Sequence, residues 1–121
     1  MILVDTSVWV DHFRTGLPSL QVLLEKGEVL IHPYVIGELG CGHLRQRRKI
    51  LQLLGDLPAI PVVPLDVVLE FVETQGLMGK GLGFVDVSLL AAVREFGGSS
   101  IWTLDRRLNA AAKRLGVAWN P

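Results

Sequence analysis

The chain has one cysteine, Cys41, which excludes an internal disulfide and any thiolate-rich zinc site. Neither sign of charge predominates: 12 Lys and Arg stand against 12 Asp and Glu, a formal net charge of zero. That excludes binding to nucleic acid through bulk charge, so any such binding must rest on a local basic cluster. Arg45, Arg47, Arg48 and Lys49 form one such run. Its ordinary reading is a solvated helix face. No apolar run approaches a membrane-spanning length, and the opening one is cut at Asp5 too early for a signal peptide. A cytoplasmic protein without membrane attachment is expected. His12, His32 and His43 lack metal-ligand spacing and read as structural. Aromatic residues are only 7% of the chain, and Trp9, Trp102 and Trp119 read as core or interface.

What remains is an apolar chain. Half of its 121 residues are hydrophobic and the mean hydropathy is +0.41. This is enough for one domain, residues 1–121, around one core. MILVDTSVWV at the start reads as a short buried strand that stops at Asp5 and passes through hydroxyl residues into a helix over 7–14. LPSLQVLLEKG predicts a second helix with Pro18 in its first turn and Gly27 after its end. Its apolar residues nearly all round suit a helix shared between core and partner. EVLIH (28–32) is a second strand, 33–42 a helix carrying Glu38, and 43–54 another helix. Proline makes AIPVV (59–63) at best an edge strand, and Asp66 caps a helix over about 67–76.

The glycine-rich stretch GLMGKGLG (76–83) matches no nucleotide-binding pattern. It reads as a tight turn into FVDVSLLAAVREF, a helix closed by Gly97. SIWTL (100–104) is a strand ending at Asp105, RRLNAAAKRLG a helix closed by Gly116, and 117–119 a last short strand. Strands alternating with helices give an α/β fold with a mostly parallel sheet.

Four acids recur where such a fold exposes its ligand-binding edge, beyond the carboxyl ends of the strands. Asp5 and Asp105 each follow a strand and precede a helix. Asp86 lies in a helix's first turn, and Glu38 lies on the helix after the second strand. Singly, the three aspartates are explained as caps or dipole partners. Glu38, among apolar and small neighbours without a basic residue at position 42, is costly to bury unless something pairs with it. Together, four converging carboxylates repel one another unless a cation lies among them. Oxygen ligands without thiolate or a histidine cluster select Mg²⁺ or Mn²⁺, and the matching chemistry is phosphodiester hydrolysis. Thr6, Ser7 and Thr103 are candidates to orient those acids. Arg106, Arg107 and Lys80 are candidates to contact phosphate.

VDTSVWVDHFR (4–14), VIGELGCG (35–42), GLGFVDVSLLAA (81–92) and WTLDRRL (102–108) resemble, in order, the four acidic motifs of the PIN domain, and within it the VapC-type toxin ribonucleases. The resemblance spans almost the whole chain. It implies a PIN-like three-layer α/β fold. It also implies a catalytic set of Asp5, Glu38, Asp86 and Asp105, with Asp5, Asp86 and Asp105 on Mg²⁺ or Mn²⁺. The implied activity is that of an endoribonuclease toxin that dimerises and is blocked by a cognate antitoxin. Leu108 stands where many relatives have an aromatic, which makes the fourth motif the weakest. The alternative is a non-catalytic α/β binding module, either an inactive PIN domain or a receiver-like domain. A receiver would need an acidic pair at the first strand and a lysine after its fifth, and a haloacid-dehalogenase-like phosphatase would need an acid at Ser7.

Overall fold

The computed structural model describes all residues 1–121. The strands are β1 (Ile2–Val4), β2 (Val29–Leu30) and β3 (Ser100–Trp102). The helices are α1 (Thr6–Thr15), α2 (Pro18–Glu25), α3 (Pro33–Gly40), α4 (Arg47–Gly55), α5 (Leu65–Thr74), α6 (Phe84–Glu95) and α7 (Arg106–Arg114). The sheet runs β2-β1-β3, parallel throughout. Single parallel bridges extend it on both sides, Ile31 with Ala59 and Ile101 with Ala118.

The chain leaves β1 towards β2 on one side and later returns to β3 on the other. The carboxyl end of β1 is therefore a topological switch point, where open α/β sheets place ligands. Ile2, Leu3 and Val4 are buried on both faces of the sheet, as a strand covered by helices on each side requires. Helix α6 is buried continuously from Val87 to Val93 and packs against β3 and α5. Its Leu89, Leu90 and Val93 are fully enclosed, and each such side chain contributes about 1.5–3 kcal/mol by leaving water. This rigid rod carries Asp86 in its first turn.

Several boundaries differ from expectation. Helix α4 starts at Arg47, not at residue 43, because Gln46 takes a left-handed conformation (φ 54°) that breaks the helix before it. Helix α5 starts at Leu65, behind Pro64. Proline's fixed φ and missing N–H suit helix entry, so Asp66 sits inside the first turn and is not the cap. Gly98, not Gly97, takes the positive φ beyond α6. Residues 59–63 and 117–119 form bridges rather than strands. Pro61 removes a donor from the first of these segments, which Pro58 and Pro64 flank. Helix α2 buries Leu20 and Leu23 and turns out Val22, a narrower outward apolar face than its sequence predicts.

Candidate metal centre

The β1–β3 register fixes the heart of the site. Val4 pairs with Trp102, so the next residues, Asp5 and Thr103, meet side by side beyond the strand ends. Thr103 Oγ1 donates to Asp5 Oδ2 at 2.7 Å, and Ser7 Oγ donates to the same oxygen at 2.8 Å. Asp5 occupies the N-cap position of α1 but makes no capping hydrogen bond with its side chain. Its carboxylate, 5% exposed, is held by two hydroxyls that both act on Oδ2 and leave Oδ1 free. The hydroxyls are themselves oriented: Ser7 Oγ accepts from Leu104 N–H at 3.0 Å, and Thr103 Oγ1 accepts from Asp105 N–H at 3.0 Å.

Asp86 stands at the N-terminal end of α6, where its Oδ2 accepts from Gly83 N–H at 2.9 Å. Its pKa is raised chiefly by burial, against the opposing pull of the Gly83 hydrogen bond. The charges of Asp5, Asp105 and Glu38 raise it further. Three acids from sequence positions up to 100 residues apart therefore act on Asp86. Asp105 is the N-cap of α7, with Oδ1 accepting from Leu108 N–H at 2.9 Å. That bond occupies one oxygen. Glu38 is exposed, which removes the burial cost expected for it, and it accepts from Thr6 Oγ1 at 2.6 Å. Thr6 thus ties the start of α1 to α3.

No cation from the protein balances this group, since the one ion pair in the chain joins Arg14 to Asp11. As the side chains stand, no three acids, histidines or cysteines close around a single point. The donor chemistry nevertheless fits a hard divalent cation. Mg²⁺ is commonly held by one or two carboxylates, with water and substrate phosphate filling its other positions.

The surrounding residues divide sharply. The basic run in the 45–49 segment is split by the start of α4. Arg47 donates to Gly40 O at the end of α3 (3.1 Å), whereas Arg45 lines a groove of about 670 Å³ that opens beside Glu38. Val10, Phe13, Leu39 and Ile50 supply the groove's apolar side. Sequence reasoning did not identify this groove, although Val10 and Phe13, apolar on the outer face of α1, are its signal. His12 accepts from Leu17 N–H and His32 caps α3 by accepting from Tyr34 N–H, both structural as expected. Arg106 is exposed at the start of α7. Arg107 and Lys80 line a second hollow together with Arg114, a residue the sequence did not single out.

The PIN domain family model matches residues 2–114. The chain belongs to the PIN-domain family. It is 48% identical over 118 residues to Ribonuclease VapC32 of Mycobacterium tuberculosis, in strains CDC 1551 / Oshkosh and H37Rv alike. The match covers 98% of this chain and 95% of the relative, which places the PIN domain described here in the VapC group. The fold is also that of the crystal structure of PAE2754 from Pyrobaculum aerophilum, with a TM-score of 0.67 at 23% identity. That likeness covers 98% of this chain and 87% of the other.

Proposed function

We propose that this PIN-domain protein is a metal-dependent endoribonuclease and the toxin of a toxin–antitoxin pair. The observation that carries the reading is the buried, hydroxyl-held carboxylate of Asp5, whose charge acts together with those of Asp105 and Glu38 on Asp86, with no ion pair to a protein cation among them. Like charges so placed raise the energy of the ionised site, and a divalent cation relieves it. Mg²⁺ or Mn²⁺ bound there supplies acidification of a water molecule and neutralisation of charge on the scissile phosphate. Asp5, Asp86 and Asp105 hold the ion, and Glu38 completes the acidic set. Thr103 and Ser7 fix the rotamer of Asp5, and Thr6 fixes Glu38. Arg106 lies at the rim, within reach of an arriving phosphate. The reading includes RNA as substrate, a second copy of the chain in a homodimer, an antitoxin that covers the site, and a cytoplasmic location. No helix is long and apolar enough to cross a membrane.

The test is cleavage of total bacterial RNA with Mg²⁺ or Mn²⁺, mapping new 5′ ends for the wild type and for Asp86→Asn. Asparagine keeps the side chain's shape and its acceptor for Gly83 while removing the charge. Discrete ends from the wild type, absent with EDTA and with the variant, are expected. The same ends from both proteins contradict the assignment and favour the binding-module alternative.

A further inference from the structure

We infer that Lys80, Arg107 and Arg114 form a phosphate-binding subsite that takes the backbone of single-stranded RNA beside the scissile bond. The inference rests on the ribonuclease reading and adds to it a second point of contact. The three cations line one hollow of about 260 Å³ whose floor is Leu77, Ala110 and Ala111. None of them is paired with a carboxylate. Arg107 and Arg114 are seven positions apart on α7, two helical turns, and so share a face.

The two arginines are pre-positioned. Arg114 Nη2 donates to Gln75 O at 2.6 Å, which fixes the guanidinium and leaves most of its donors unused. Arg107 lies directly across Gly81, where a Cβ would meet its Nη1 at 2.6 Å and its Cδ at 2.9 Å. Gly81 also has φ +77°, so glycine serves both the turn and the close approach of the guanidinium. Ordered, unpaired guanidinium groups suit phosphate, which they engage through parallel N–H donors.

Two separate segments connect this hollow to the acids. Arg107 follows Asp105 by two residues. Gly81 precedes Gly83 by two residues, and the Gly83 N–H holds Asp86. Two residues of chain span at most about 7 Å, so the hollow adjoins the centre on the side formed by α7 and the glycine turn. The acids repel RNA phosphates other than the one a metal holds. A basic hollow at their edge offsets that repulsion for a neighbouring phosphate and sets the strand's path.

The test is binding of a short fluorescent single-stranded RNA in EDTA, read as affinity against salt concentration, for the wild type, Lys80→Ala, Arg114→Ala and Lys26→Ala. Lys26 lies at the end of α2, just before β2, at the opposite edge of the sheet, and serves as the charge-matched control. Each hollow variant is expected to weaken binding several-fold and to flatten the salt slope by roughly 0.7, with Lys26→Ala matching the wild type. Lys80 is exposed in a turn, so its variant keeps the fold even if Arg114→Ala loosens the Gln75 contact. Equal losses in all three variants, meaning bulk charge alone, overturn the subsite. So does unchanged RNA affinity in the hollow variants. Because binding is read without metal or turnover, failure of the ribonuclease reading, seen as no RNA cleavage by metal-loaded wild type, is distinguishable from failure of the subsite.

Discussion

At the scale of single residues, a polar group's partners decide its role more firmly than its position does. Asp5 sits where an N-cap belongs, yet its carboxylate turns from the helix to Ser7 and Thr103. Asp105 does cap α7, and does so with one oxygen. His32, the most enclosed titratable side chain, caps α3 through Nδ1, and its buried Nε2 has no partner. Burial pushes its pKa down to about 4, against about 6.5 in an unfolded chain. Between those values the unfolded chain takes up a proton that the native imidazole refuses, so stability falls as pH drops through this window. The full loss, reached below the native pKa, is on the order of 3 kcal/mol. His32→Asn retains a capping acceptor and is expected to flatten the slope in denaturant midpoints measured across the window. An unchanged slope assigns the acid sensitivity elsewhere.

At the scale of elements, the three aspartates are presented by helix starts and strand ends, the legible parts of the sequence, whereas Glu38 lies in the last turn of α3. The apolar run ending at Asp5 and the glycine turn before Asp86 fall where their residues imply, and the strand before Asp105 starts where expected but ends at Trp102 rather than Leu104. The register that sets Asp5 beside Thr103 was not legible, because it depends on pairing between segments 98 residues apart. Nor was the exposure of Glu38, since its apolar and small neighbours turn to other faces of α3. The start of α4 was misjudged because nothing in the composition of residues 41–46 announces a left-handed Gln46. Arg114 was missed for a similar reason: it joins Lys80 only when α7 packs beside the glycine turn. The double position of Asp105 gives a prediction for α7. Asp105→Ala removes the cap and is expected to lower stability by about 0.5–2 kcal/mol. Asp105→Asn keeps the cap, leaves stability nearly unchanged, and is expected to reduce cleavage roughly 10- to 100-fold. Full activity in the asparagine variant, with thermal melts confirming its fold, reduces Asp105 to a cap.

At the scale of the whole molecule, a small parallel sheet brings four acids from the length of the chain to its switch point, and the buried rod α6 fixes one of them. The net charge is zero, yet the charges are segregated: acids at the strand ends, unpaired cations in the adjoining hollow beside α7. Burial and three like charges disfavour the ionised form of Asp86, a cost to the metal-free protein that a divalent cation bound among the acids would offset. The most direct test of the acidic centre is a Mn²⁺ titration of the purified protein, followed by the loss of the free ion's electron paramagnetic resonance signal. Wild type is expected to bind Mn²⁺ saturably, with the affinity lowered tenfold or more in Asp5→Asn and in Asp86→Asn. Equal Mn²⁺ affinity in the wild type and both variants would contradict the account, because the four carboxylates would then not be the metal's ligands.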